Sequence, residues 1–76
     1  MAEKKRPLVR FGENLRAQRL KSGLSQEQLA HQAGLDRSYV GGVERGERNV
    51  SLLNMVKLVN SLGIAMSELL EGVGDE

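Results

Sequence analysis

The sequence predicts an all-α domain of five helices, and three observations carry this prediction. Apolar residues recur at helical spacing in stretches that each end at a glycine, and a left-handed glycine commonly closes a helix. These glycines are Gly23, Gly34, Gly46, Gly63 and Gly72. Residues that favour helix N-caps follow the first four of them, and they are Ser25, Asp36, Ser51 and Ser67. Alternating β-branched stretches, the pattern typical of strands, are absent from the sequence.

These signals place the five helices at residues 7–22, 26–33, 37–45, 52–62 and 68–71. Ser25 and Gln28 match a capping box, which favours a helix that begins directly after Ser25. The fourth stretch is apolar around more than half of its circumference. Such a wide apolar arc predicts a central and well-buried helix.

The length of 76 residues is enough for one compact domain. A domain of this size buries a modest share of its surface and often gains stability by oligomerising. We expect a single domain over residues 7–72, preceded by a basic flexible arm at residues 1–6 and followed by a frayed acidic tail at residues 73–76.

Composition excludes several classes of site. The sequence has no cysteine, so a disulfide framework and a thiolate zinc site are excluded, and a cytoplasmic location fits. Its single histidine, His31, has no partner cluster for a metal site or a catalytic relay. No apolar run approaches the roughly 20 residues that span a bilayer. We therefore expect no metal, no cofactor and no membrane contact.

The net charge is only +1, but its distribution along the chain is uneven. Residues 1–23 hold seven Lys or Arg and two acidic residues, whereas residues 51–76 hold one basic and four acidic residues. This polarity indicates either an N-terminal part that faces phosphate or a lysine-rich, solvated segment. Charge alone does not choose between the two interpretations.

Residues 26–45 predict two short helices joined by a tight turn at Gly34. On a helical wheel, Val40 and Val43 fall on the inner face of the second helix. The opposite face combines hydrogen-bond donors with little bulk, in Arg37, Ser38, Gly41, Gly42 and Arg45. Such a face is poorly suited to packing and well suited to a groove about as wide as a helix, such as the major groove of DNA.

The pair Gly41 and Gly42 has three explanations at this point. Each glycine inside a helix costs about 1 kcal/mol relative to alanine, so the pair needs a physical reason. Bare backbone would allow the helix to approach DNA or a phosphate closely. Alternatively, a neighbouring helix needs the room, or the weakness is simply tolerated.

The run LSQEQLAHQAGLDRSYVGGVERG resembles the lambda-repressor-like helix-turn-helix family, also called the xenobiotic-response-element type. The resemblance covers nearly the whole chain, from Leu15 to Ile64. Its positions include Arg19, Gly23, Leu29, Ala30, Gly34, Leu35, Val40, Val43, Gly46, Leu58 and Leu62. Within the family, the stretch GLDRSYVGGVERGERNVSL is similar to the controller proteins of restriction–modification systems, which are short, stand-alone dimers.

The resemblance implies a transcription regulator that binds a near-palindromic operator in double-stranded DNA as a homodimer. It implies base reading by Arg37 and Ser38 at the start of the recognition helix. The positions implied for the DNA backbone are Gln26, Tyr39, Gly41, Gly42, Arg45, Arg48, Asn49 and Ser51. Tyr39 could touch a phosphate or a thymine methyl group, or simply cover the edge of the core. RNA polymerase is a further candidate partner.

Two further expectations concern structure. The resemblance puts an ion pair between the first and third helices, at Arg19 and Glu44. The end of the chain offers more apolar surface than a small core needs, which predicts a dimer interface formed by Ile64, Met66, Leu69, Leu70 and Val73. The alternative for these five residues is that they cap the core of a monomer.

Two other function classes are weighed against the DNA-binding regulator. An antitoxin that binds both DNA and a partner toxin would usually carry a long segment for that partner, and few residues follow Glu71. An enzyme would need a reactive constellation. No glycine-rich phosphate loop, nucleophile with a base, or metal spacing accompanies the acidic residues, so the sequence indicates no enzyme.

Overall fold

The structure is a computed structural model that describes the backbone of residues 2–75 and the side chains of residues 6–75. It contains five α-helices: α1 (Ala2–Lys21), α2 (Gln26–Ala33), α3 (Arg37–Glu44), α4 (Leu52–Leu62) and α5 (Met66–Leu69). Over this part of the chain there is no strand, and the predicted all-α, five-helix fold is confirmed. Helix α1 packs against α3 and α5, α2 packs against α3 and α4, and α4 contacts α5.

Several helix ends follow the local signals in the sequence. Ser25 caps α2 through a full capping box, in which its Oγ accepts from the N–H of Gln28 and its own N–H donates to Oε1 of Gln28. Ser51 caps α4 by accepting from the N–H of Asn54 at 3.1 Å. Gly34 closes α2 with φ of 71°, a conformation that costs glycine little and other residues much.

One predicted cap lacks its hydrogen bond, and another is wrong. Asp36 occupies the N-cap position of α3, but its side chain makes no capping hydrogen bond. Ser67 lies inside α5, whose N-cap is Ala65. The N–H of Ala65 donates to Oε2 of Glu68 at 3.0 Å, and the helix starts at Met66, earlier than predicted. It ends at Leu69 rather than at Glu71.

The boundaries expected at the two ends also differ. Helix α1 begins at Ala2 and includes Pro7, so residues 2–6 are helical rather than an irregular arm; Met1 lies outside the described residues. Alanine, glutamate, lysine and arginine all favour helix, which explains the extension. At the other end Val73 packs against the core and its N–H donates to the carbonyl of Leu70, so the expected fraying does not begin there; Glu76 lies outside the described residues.

The core lies between the five helices and contains side chains from each of them. Its most deeply buried members are Leu15, Leu29, Val40, Val43, Leu58 and Leu69. The expectation of a central, well-buried α4 is wrong, because only Leu58 and Val59 of α4 are buried. Leu52 and Leu53 are 67% and 75% exposed. The inner half of the wide apolar arc faces the core, and the outer half faces solvent.

Helix α1 meets the end of α3 at Gly12, where backbone lies against backbone. A Cβ atom on Gly12 would lie 2.4 Å from the carbonyl oxygen of Val43 and 2.7 Å from that of Glu44. No real Cβ atom sits so close to a carbonyl oxygen, and neither oxygen can rotate away. The angle between α1 and α3 therefore depends on the absence of a side chain at residue 12.

Gly12→Ala should lower the free energy of unfolding by about 1–3 kcal/mol, because the added methyl group forces α1 and α3 apart. Alanine is the better helix former by about 1 kcal/mol, so a net loss can come only from this clash. Thermal unfolding followed by circular dichroism measures the effect. Glu13→Ala, at the exposed neighbouring position, is the control and should melt like the parent. A Gly12→Ala variant that melts at or above the parent would contradict this description of the contact.

Candidate nucleic-acid interface

The two helices of residues 26–44 enclose a tight turn, as the sequence predicts. The N–H of Leu35 donates to the carbonyl oxygen of Ala30 at 2.8 Å, which brings the chain back directly after Gly34. Leu29 and Ala30 of α2 and Val40 and Val43 of α3 are buried and join the two helices through the core. Helix α3 is thus held with its other side toward solvent.

Arg37 and Ser38 stand in the first turn of α3, and both are exposed. Neither side chain forms a hydrogen bond or an ion pair with any of residues 6–75. A guanidinium and a hydroxyl in this position are available to a ligand that approaches the N-terminal end of α3. The base-reading role expected for the two residues stays a prediction.

An ion pair joins α1 to the end of α3, at the two positions expected from the resemblance. Nε of Arg19 lies 2.6 Å from Oε2 of Glu44, and Nη2 lies 3.0 Å from Oε1. The third nitrogen, Nη1, donates to the carbonyl oxygen of Leu24 at 2.9 Å. The side chains of Arg19 and Glu44 are 9% and 2% exposed. The hydrogen bond to Glu44 raises the pKa of the Arg19 guanidinium, although burial acts in the opposite direction.

Gln26 shares this buried carboxylate. Its Nε2 donates to Oε1 of Glu44 at 3.0 Å, from the first residue of α2. The amide oxygen of Gln26 lies beside Gly41, 3.4 Å from the position that a Cβ atom would take there. Gln26, the phosphate contact expected from α2, is therefore held against α3 by its hydrogen bond to Glu44 in the protein without DNA.

Gly41 and Gly42 are buried, which corrects the expectation of bare backbone open to DNA. A Cβ atom on Gly41 would lie 3.2 Å from Nη1 of Arg45, and one on Gly42 would lie 3.0 Å from Cγ of Arg48. Gly41 also leaves room for the amide of Gln26 from the neighbouring helix α2. Together the two glycines form a shallow bed along α3 on which two long basic side chains lie, which we call the glycine bed.

Tyr39 is half-buried at the flank of α3 and has a polar partner on each side. The guanidinium carbon of Arg48 lies 5.6 Å from the centre of the Tyr39 ring, within the range of a cation–π contact. The phenol oxygen accepts from Nδ2 of Asn54 at 3.0 Å. Asn54 is not among the residues that the sequence predicts for this site. No local signal could have identified it, because 15 residues separate it from Tyr39.

The remaining expected contacts lie after α3. Arg45 ends the helix and pairs with Glu47 at 3.2 Å, with both side chains about 60% exposed. Asn49 and Ser51 are exposed in the following loop. Through the glycine bed, the structure joins several of the expected DNA contacts into one surface, which we call the α3 face: Gln26, Arg37, Ser38, Tyr39, Gly41, Gly42, Arg45 and Arg48.

The residues expected at a dimer interface divide into three groups. Leu69 is 0% exposed and belongs to the core of the monomer, so its place in an interface was wrong. Ile64, Met66 and Val73 are partly buried against that core. Leu70 is 37% exposed and remains available. The sequence analysis missed the larger exposed apolar group on α4, because it assigned that whole helix to the interior.

The sequence excludes a metal site and a membrane-spanning segment. Among residues 6–75, no three histidine, aspartate or glutamate side chains cluster in a way that could hold a metal ion. None of the helices formed by residues 2–75 combines the length and the apolar character needed to cross a membrane.

A tight helix–turn–helix with free donors on the first turn of its second helix defines a class of DNA-binding regulators. The chain belongs to the helix-turn-helix family, whose model matches residues 15–69. It is a DNA-binding transcription regulator, and its family is not one of enzymes.

Similar proteins indicate a narrower class within the helix-turn-helix regulators. The control protein C.MunI of a Mycoplasma species is 46% identical over 69 residues, which are 90% of this chain and 93% of that protein. The control protein C.BamHI of Bacillus amyloliquefaciens is 47% identical over 62 residues, or 80% of this chain and 76% of that protein. The crystal structure of the restriction–modification controller protein C.AhdI from Aeromonas hydrophila matches with a TM-score of 0.80 and 63% identity. The match covers 82% of this chain and 94% of that one.

Glu44→Ala should lower the free energy of unfolding by about 3–5 kcal/mol, because it leaves the buried guanidinium of Arg19 without its partner. Glu47→Ala is the matched control. It removes the exposed pair with Arg45, and such a pair contributes about 1 kcal/mol or less. Chemical denaturation of both variants measures the difference. Equal stabilities would show that burial gives the Arg19–Glu44 pair no special role.

Proposed function

We propose that this chain is the controller protein of a restriction–modification system and that it binds a near-palindromic operator as a homodimer. The observation that carries the proposal is the α3 face, where the free donors of Arg37 and Ser38 stand beside anchored polar side chains. The names of the similar proteins support the narrower assignment, as does the high share of both chains that the matches cover. We propose a cytoplasmic location, because the DNA of a bacterium lies in the cytoplasm.

In this proposal the N-terminal end of α3 enters the major groove. The guanidinium of Arg37 can donate two parallel hydrogen bonds to O6 and N7 of a guanine. Ser38 adds one adaptable contact, and the glycines that follow add none from side chains. Direct base reading is therefore concentrated at Arg37, and the deformability of the DNA would supply part of the specificity.

Phosphate contacts would fix the register of α3 in the groove. Gln26 and Arg45 both lie beside Gly41, and the other expected contacts are Arg48, Asn49 and Ser51. Arg45 and Arg48 lie over the glycine bed in the free protein. Flexible arginine side chains can turn from this bed toward the phosphates at small cost. The basic surplus of residues 1–23 would add a salt-sensitive attraction to the same duplex.

Homodimer formation would use the outer side of α4 together with Leu70. Leu52 and Leu53 are 67% and 75% exposed, and Val56 is 39% exposed. Burying an exposed leucine contributes about 1.5–3 kcal/mol, and a domain of this size gains much from such burial. Two-fold symmetry would set two α3 helices about one turn of DNA apart, roughly 34 Å.

Contact with RNA polymerase is a further part of the proposal, since a controller acts on transcription.

Arg37→Ala should weaken binding to the operator by about 1–3 kcal/mol per half-site and relax the preference at one base position. Fluorescence anisotropy against the operator and against a scrambled duplex of the same composition measures the loss. Arg45→Ala is the comparison, and it should weaken both duplexes alike and reduce the salt dependence of binding. An equal loss on both duplexes for Arg37→Ala would show that Arg37 reads no base.

Leu53→Glu and Leu70→Glu should each shift the chain from dimer to monomer in sedimentation velocity at tens of micromolar, because each places a charge in the interface. Leu20→Glu is the matched control, since Leu20 of α1 is 56% exposed and lies outside the proposed interface. Operator affinity should fall for the first two variants and not for the control. A parent chain that sediments as a monomer would remove the dimer from the proposal.

A further inference from the structure

The side chain of Tyr39 is held from several directions. Its ring packs against the core from α3, and the guanidinium of Arg48 lies over the ring. Its oxygen accepts a hydrogen bond from Nδ2 of Asn54 at 3.0 Å. With the ring fixed in this way, the freedom that remains is the rotation of the hydroxyl hydrogen about the C–O bond.

Asn54 is itself fixed. It lies in the first turn of α4, where its backbone N–H donates to Oγ of the cap residue Ser51 at 3.1 Å. Its side chain is part-buried and reaches back from α4 to α3. The amide of Asn54 therefore meets the phenol oxygen from a defined side.

Asn54 and Tyr39 have defined roles in this hydrogen bond, because the phenol oxygen of Tyr39 carries a single hydrogen. A phenol oxygen carries one hydrogen and can also accept. When it accepts from Asn54, its own hydrogen is left for another partner. No acceptor among residues 6–75 takes that hydrogen. The hydroxyl of Tyr39 is thus a donor waiting for an acceptor, on the flank of the helix that carries Arg37.

We propose that Asn54 is a positioning residue for DNA binding, which orients the Tyr39 hydroxyl as a hydrogen-bond donor toward an oxygen acceptor of the DNA. This inference rests on the proposed entry of α3 into the major groove. The acceptor is a phosphate oxygen or an oxygen on a base edge, and both would recognise the same donor. An aspartate at residue 54 would reverse the arrangement, because a carboxylate accepts the phenol hydrogen and withdraws it from the DNA.

The test is a double-mutant cycle on the full chain, with variants Asn54→Asp, Tyr39→Phe and the pair together. The probes are a labelled duplex selected from random-sequence DNA by the parent chain and a scrambled duplex of the same length. Asn54→Asp should weaken binding of the selected duplex about tenfold more in the parent than in the Tyr39→Phe background. The added negative charge acts in both backgrounds, so the cycle removes its effect. An equal loss in the two backgrounds would overturn the proposal.

The scrambled duplex identifies the acceptor. If the coupling between residues 39 and 54 is the same on both duplexes, the Tyr39 hydroxyl donates to a phosphate. If the coupling occurs only on the selected duplex, it donates to a base edge. Either result supports the role of Asn54.

A second readout needs no DNA. Tyr39 is the single tyrosine of the chain, which has no tryptophan, so the tyrosine doublet in the ultraviolet resonance Raman spectrum reports this side chain alone. The intensity ratio of the doublet depends on whether the phenol accepts or donates. It should show an acceptor in the parent, lose that character in Asn54→Leu and show a strong donor in Asn54→Asp. A ratio that is the same in all three proteins would overturn the proposal. If the parent chain selects no DNA sequence, that result would count against the proposed operator. It would not count against the hydrogen bonding of Tyr39, which the Raman spectrum reports.

Discussion

The carboxylate of Glu44 is the point on which the orientation of α3 depends. It receives Arg19 from α1 and Gln26 from α2, so one buried side chain joins three helices. The backbone contact at Gly12 lies at the same place, against the carbonyl oxygens of Val43 and Glu44. A buried ion pair often adds little net stability over an apolar alternative, but breaking it is costly. Because it joins α1, α2 and α3, we expect it to fix how α3 lies relative to the other two helices.

The α3 face is organised from this point outward. Glu44 holds the amide of Gln26, and Gln26 lies beside Gly41. The glycines then provide a bed for Arg45 and Arg48, and Arg48 covers the ring of Tyr39. The first turn of α3 stays free, with Arg37 and Ser38 exposed. The α3 face thus combines a side chain that is held by a buried partner with exposed basic side chains.

Local signals predicted much of this architecture. The capping box at Ser25 and the left-handed Gly34 are read from a few neighbouring residues, and both formed as expected. The errors arose where partners distant in sequence decide the outcome. Helix α4 is apolar on both sides, and periodicity cannot tell that only the side with Leu58 meets the core. Leu69 was assigned to an interface for the same reason. The bed under Arg48 and the contact of Asn54 with Tyr39 depend on loop geometry that no local pattern records.

Selection of bound sequences from a pool of random duplex DNA tests the central claim most directly, because it asks whether the α3 face reads sequence at all. The account predicts a consensus of two inverted half-sites whose centres lie about one helical turn apart, each with a strongly preferred guanine for Arg37. A bound pool with no consensus, or with one unpaired half-site, would contradict it.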